Sequence, residues 1–357
     1  MRLSALFVAT LALVASNASR ALQFPTPEDP RARELLAEVG MTAAKFEGLL
    51  KFARPAAADW PCEPSLGYLY QAAGLWNALP ADQLPEELRT QRKDIDKATR
   101  KMMRAMNMDA SAAGNDTYSN IELIPIRAQC TDGKLDGPVE YYAKFDSVRE
   151  STTEMLSTLT NKLEKNRNVM NTAAEVHIWA TYKAGKLVPE GLQTVRRATM
   201  TTKMFFENPD MQKNYDKSMG AAKPIPSIYV QVNAKGGHVM FMPMETAKIS
   251  AGFLGPKATL ETKLMTTIML NGEGVQDSFT YTDGPLTGKG RFNPETNTRE
   301  TITYMDNFLP ALGKKLSEMP NMENYREVSL GGRNMLEMRS CMVNNAMVKI
   351  DPCPVEQ

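Results

Sequence analysis

Two histidines, four cysteines and 24 methionines carry most of the distinctive chemistry in this 357-residue chain. The densest cluster is His238, Met240, Met242 and Met244, which recur at every second position after a Gly-Gly pair. In an extended strand such residues share one face, and positions two apart lie about 6.5–7 Å from each other. Thioether sulfur and imidazole suit a soft ion such as Cu(I). These four residues are the candidate metal site, and a copper-binding envelope protein is one functional reading. Core packing is the competing reading. Methionine fills irregular apolar space, Pro243 interrupts the run, and further methionines such as Met102, Met103, Met106 and Met108 lie elsewhere.

A Ser-His-Asp or Cys-His enzyme would need His177 or His238 as its base. His177 sits beside Trp179 in an alternating run, where a half-buried structural histidine is the plainer reading. The chain lacks GxSxG, SxxK, HExxH, P-loop and GxGxxG signatures. Between Gly284 and Lys289 the glycines are too close for a phosphate loop, and Gly290 stands where Ser or Thr would be needed. No catalytic or cofactor-binding residue is assigned. A hydrolase with an unrecognised site, near His177, is a further reading.

Residues 1–21 have the pattern of a signal peptide: Arg2, an apolar run from Leu3 to Ala15, then small residues ending at Ala18 or Ala21. Its removal leaves 40 basic against 41 acidic residues. That balance excludes a strongly basic nucleic-acid binder. No later segment is apolar enough for a transmembrane helix. The address is therefore exported, periplasmic or secreted. Four cysteines in an exported chain favour disulfides. Of the three pairings, Cys341–Cys353 closing a short loop and Cys62–Cys130 tying two regions together are favoured. Asn115-Asp116-Thr117 fits a glycosylation sequon.

The positioning elements follow from periodicity. Residues 22–108 read as helical. Thr26 and Pro27 suit a helix start, Gly40 divides two helices, Pro55 stops the second, and Pro85 opens a fourth after a face of Leu69, Ala73, Trp76 and Leu79. The small polar run 109–120 reads as a linker or long loop. From 121 to 357 the period falls to two, as in Val176, Ile178, Ala180 and Tyr182, or Ile228, Val230 and Val232. Gly236-Gly237, Asn271-Gly272, Asp283-Gly284 and Gly331-Gly332 supply hairpin turns. Residues 148–170, with Met155, Leu156, Leu159 and Leu163, and residues 199–220 read as inserted helices. The fold class is α+β: a helical N-terminal region, then a large antiparallel hairpin meander with one or two inserted helices. Turn glycines at 133, 185, 236 and 284 also suggest a repeat near fifty residues.

The stretch from Asp132 through Gly133, Leu135 and Gly137 to Tyr141 and Tyr142 resembles a unit of the MORN-type hairpin repeats of bacterial exported proteins. The resemblance implies glycines in the turn, an aromatic pair along the next strand, and a binding or scaffold role. The favoured function is an exported, non-enzymatic binding or interaction protein. It would present an open sheet face, rich in Met, Tyr and Thr, to an apolar ligand or a protein partner.

Overall fold

The computed structural model describes residues 24–25, 27–105, 116–156, 163–219, 224–234, 237–244, 248–250, 259–261, 265–271, 275–282, 285–307, 309–310, 313–319, 322–344, 346–349 and 352–355. Residues 1–21, expected as a signal peptide, and Thr26, Met106, Met108, Asn115 and glycines 236, 272 and 284 lie outside the described residues.

Four helices come first: α1 (Pro30–Glu38), α2 (Ala43–Leu50), α3 (Leu66–Ala72) and α4 (Glu86–Ala105). The first begins three residues later than Thr26 and Pro27 suggest. Asp29 is its N-cap and accepts from the backbone N–H of Arg31 and Ala32, with Pro30 in the first turn. Gly40 takes φ +58°, which ends α1 and lets Thr42 cap α2. Trp76 and Leu79 belong to the connection after α3, not to a helix.

Strands then dominate. β1 (Asp116–Arg127), β2 (Cys130–Thr131), β3 (Lys134–Leu135), β4 (Gly137–Leu156), β5 (Leu163–Lys183) and β6 (Lys186–Phe206) lead to α5 (Pro209–Met219). β7 (Ile225–Ala234), β8 (Gly237–Met244), β9 (Lys248–Ser250), β10 (Thr259–Glu261), β11 (Met265–Asn271) and β12 (Gln276–Thr282) follow. β13 (Leu286–Asn293), β14 (Thr298–Asp306), β15 (Tyr325–Leu330), β16 (Arg333–Val343) and β17 (Ala346–Val348) complete the order. Among the described residues, thirteen strands form one antiparallel sheet in the order β1-β4-β5-β6-β7-β8-β11-β12-β13-β14-β16-β15, with β17 also on β16. The chain is thus mostly antiparallel β-sheet with few helices.

Four expectations about this region are corrected. The described residues of 148–170 are strand, not helix: β4 and β5 pair without a break from Gly137↔Tyr182 to Leu156↔Leu163, and Leu159 lies outside the described residues. β-Branched Val148, Thr152, Thr153, Val169 and Thr172 favour that ladder over the i, i+4 leucine spacing. Strand β1 starts at Asp116, so the last five residues of the expected loop 109–120 are strand. Residues 199–206 continue β6, and among the described residues of 199–220 only α5 is helical. The fifty-residue period is not structural either. Between Gly133 and Gly185 run β4 and β5, whereas β6, α5 and β7 fill the next interval.

The tight turns form where dipeptides accept positive φ. Asp132-Gly133 joins β2 to β3, Ala184-Gly185 joins β5 to β6, and Gly331-Gly332 joins β15 to β16.

Register assigns the two sheet faces. On β5, Ala174, Val176, Ile178, Ala180 and Tyr182 point to the front face and are buried with α3 and α4. Glu175, His177 and Trp179 point to the back. Back-face Val195, Val230, Phe241, Phe279 and Ile302 are buried with α1 and α2. The two helix pairs therefore cover opposite faces at different parts of the sheet. The chain crosses over between Arg54, paired with back-face Glu122, and Trp60, which meets front-face Tyr141 edge-on at 5.7 Å.

Phe241 is fully buried and contacts the rings of Phe46 at 5.6 Å and Phe24 at 6.4 Å. We expect Phe241→Ala to lower unfolding stability by about 3–5 kcal/mol in urea titration. Exposed Met347→Ala should change it by less than ~0.5 kcal/mol. Equal small effects would contradict the back-face core.

Candidate functional site

The front-face helices are tied to the sheet by hydroxyls. Tyr141 donates to the Leu69 carbonyl at 2.7 Å, and Tyr182 donates to that of Tyr68 at 3.4 Å. The Tyr68 hydroxyl in turn donates to Glu87 on α4. Gly74, at φ +75°, ends α3 in the left-handed region and turns the chain so that Leu75 is buried and Trp76 sits half-buried. Arg92 on α4 donates to the Leu79 carbonyl at 3.0 Å, which holds the connection against the helix.

The buried front-face core reaches β6, through Leu192 and Ala198, and there two adjoining cavities open. One, of about 370 Å³, lies between α4 and the front faces of β1, β4, β5, β6 and β7. The other, of about 380 Å³, lies between α3 and the front faces of β5 to β8. Gly74, Trp76, Arg196 and Tyr229 line both. Together they form one cleft along the border of the helical layer.

The two ends differ in chemistry. The first cavity is lined by Arg92, Asp96, Asp116, Arg149 and Arg196. Asp116 accepts two bonds from Arg149, at 2.8 and 2.6 Å, so that pair is mutually neutralised. The second cavity has Ala72, Trp76, Val176, Leu187, Leu192 and Met240 among its walls, with neutral Gln231 and Asn233. Arg196 is its sole charged lining residue among the described residues.

Arg196 is the anomaly. It occupies the middle of β6, opposite Val176 on β5 and Tyr229 on β7. Its front-face neighbours along β6 are Thr194 and Ala198, and its diagonal neighbours are Ala174, Ile178, Ser227 and Gln231. None of these is a carboxylate. Its guanidinium lies over the Phe145 ring, 4.8 Å from the centroid, and its Nε is buried without a hydrogen-bond partner. Burial pulls the guanidinium pKa below its ordinary value, opposed by Tyr118, Tyr229 and Asp116. Tyr118, at the polar end, is pushed above its ordinary value by burial and then by Asp116.

Of the expected metal ligands, His238, Met240 and Met242 share the front face of β8, because Val239 and Phe241 are buried on the back. Met240 lines the cleft. The Met244 backbone is in β8, but its side chain lies outside the described residues. The expected cysteine pairs are both present as disulfides, Cys62–Cys130 and Cys341–Cys353. His177 is on the back face, stacked on Trp179 at 4.0 Å, with Nε2 at 2.8 Å from Glu140 Oε1. Its Nδ1 is buried without a partner, so among the described residues no hydroxyl or thiol is hydrogen-bonded to this ring.

Arg196 and Tyr229 carry no expected site role in the sequence, and Trp76 enters there only as part of a helical face. The available signal was Arg196-Arg197 between Val195 and Ala198 in a strand: one of two adjacent arginines must face inward on each side. Arg197 finds backbone carbonyls of Phe52 and Leu50 on the back face. Among the described residues, the buried Nε of Arg196 has no such acceptor.

No family model matches the chain, and comparison with curated proteins and with solved structures returned no match. The MORN-type resemblance therefore rests only on residues of the Asp132–Tyr142 stretch. There Asp132-Gly133 forms the β2–β3 turn, and Tyr141 and Tyr142 are fully buried on opposite faces of β4. Among the described residues, no helix is long and apolar enough to cross a membrane.

Both histidines have pKa values below the ordinary 6.5, His177 through burial opposed by Glu140, and His238 through burial. The native state then binds fewer protons than the unfolded chain. Stability is full above the unfolded value and falls as pH drops from about 7 toward the depressed native values. The midpoint of thermal unfolding should therefore fall between pH 7.5 and 5.5. The double variant His177→Gln/His238→Gln should flatten that slope. An unchanged slope would show that other groups set it.

Proposed function

We propose that this protein is an exported, non-enzymatic binding protein that holds a small apolar or amphiphilic molecule in the front-face cleft. One observation carries the reading. Two adjoining cavities of ligand size meet along a border lined by Gly74, Trp76, Arg196 and Tyr229, and the second continues past Val176, Leu192 and Met240, at the edge of the helical layer on the sheet. Small-molecule sites are concave, mostly apolar and built on fixed elements with few polar groups. The cleft is concave where an open sheet face is not, and its second cavity sets Val176, Leu192 and Met240 beside polar Gln71, Gln91, Thr194 and Gln231. Export is supported by the leader-like residues 1–21 and by two disulfides, which persist in oxidising compartments.

The test uses the uncharged probe N-phenyl-1-naphthylamine, whose emission rises in apolar surroundings. The mature protein should bind it at micromolar concentration. Leu192→Glu, which places a carboxylate in the cleft, should weaken binding at least about tenfold. Met240→Trp, which fills the space without charge, should do the same with circular dichroism unchanged. Equal binding by all three proteins would remove the cleft as the site.

A second reading has one observation in its favour: His238, Met240 and Met242 lie on the same side of β8, as a Cu(I) site requires. If that face binds copper, Cu(I) titration should show one fewer bound ion when Met240, Met242 and Met244 are all changed to Leu. Equal uptake by both proteins would end this reading.

A further inference from the structure

We propose that the ligand is a monoanionic amphiphile, a long-chain carboxylate in its simplest form, whose head group sits on Arg196 and whose tail runs toward Leu192 and Met240. This inference rests on the cleft-binding reading above and adds the chemical class of the ligand.

Position comes first. Arg196 lies where the polar and apolar cavities meet, so a molecule spanning the junction places one group against its guanidinium. On the apolar side no other charged residue among those described lines the wall. A hydrocarbon chain there meets Leu192, Val176 and Met240 and leaves no buried charge unpaired.

Charge comes second. The arginine has no carboxylate at any adjacent front-face position, and its Nε is buried without an acceptor. The Phe145 ring attracts the cation but accepts no N–H bond in the guanidinium plane. A buried donor without a partner is costly, and a planar carboxylate matches the guanidinium fork. The polar cavity carries three arginines and two aspartates, of which Arg149 and Asp116 neutralise each other. A surplus of one positive charge is balanced by one negative charge on the ligand, which favours a monoanion over a dianionic phosphomonoester.

The experiment measures displacement of bound N-phenyl-1-naphthylamine by dodecanoate, dodecanol and dodecylammonium, each below its micellar concentration, from the mature protein at pH 8. Dodecanoate should act at least about tenfold more tightly than dodecanol, and dodecylammonium most weakly. Arg196→Met should abolish the preference for dodecanoate while leaving dodecanol unchanged, and Arg196→Lys should retain part of it. Equal displacement by the three compounds, or a preference that survives Arg196→Met, overturns the head-group assignment. The wild-type ranking decides the matter even if the Met variant does not fold. Failure of the probe itself to bind would instead defeat the cleft reading, so the two failures are distinguishable.

Discussion

Burial on both faces of the central strands is the constraint on which the rest depends. β6 buries Leu192 and Ala198 on the front and Val195 on the back. A strand with apolar residues on both sides cannot leave either face to water over its whole length, because each such side chain is worth roughly 1.5–3 kcal/mol when buried. The N-terminal helices supply both covers. α1 and α2 take the back, α3 and α4 take the front, and the segment between Arg54 and Trp60 must change sides. The Cys62–Cys130 disulfide fastens the end of that crossing to the β1–β2 region. Cross-linking over a separation of 68 residues removes much of the freedom the crossing would otherwise have in the unfolded chain.

The shortness of α3 in the front-face pair also explains why a cleft exists. α3 has seven residues, and its left-handed ending at Gly74 fixes how far the front cover extends. Beyond it, the front faces of β7 and β8 carry Tyr229, Gln231, Asn233 and Met240, which neither join the sealed core nor stand fully exposed. Residues of this mixed kind suit a wall that meets solvent at some times and an apolar body at others. The back face near β1 to β5 is different. There Glu122, Lys144 and Glu175 occupy aligned positions, as expected of a surface that stays wet.

Much of the architecture was legible from residue order. Alternation along β5 and β7, the helical start of the chain, and the pairing of four cysteines all follow from local pattern or chain length. The failures have physical causes. Residues 155, 156, 159 and 163 match helical spacing, but a hairpin as long as β4–β5 gains a bond partner for nearly every backbone group, and that cooperative ladder outweighs local spacing. The start of α1 was displaced because Thr26-Pro27 and Asp29-Pro30 carry the same signal, and only the second places a carboxylate within reach of Lys289 on β13, at 3.2 Å. The cleft was illegible for a deeper reason. Its walls come from α3, α4 and strands as far apart as β1 and β8. Strand alternation gives each side chain's face, but not where a helical cover stops.

That missing knowledge matters most at Arg196. In sequence, an arginine in a strand is an ordinary solvated charge. In the fold it becomes a partly desolvated cation whose compensation is aromatic and incomplete. Leaving a buried donor unpaired costs on the order of 1–3 kcal/mol. A ligand present at a hundred times its Kd stabilises the state that binds it by about 2.7 kcal/mol. The two quantities are of the same size. A fold can therefore carry such a residue at a net cost when empty and recover that cost when occupied. A methionine or leucine at the same position would fit Phe145, Val176 and Tyr229 without any desolvation cost. The packing of the sheet does not account for the arginine, whereas the proposed anionic ligand would.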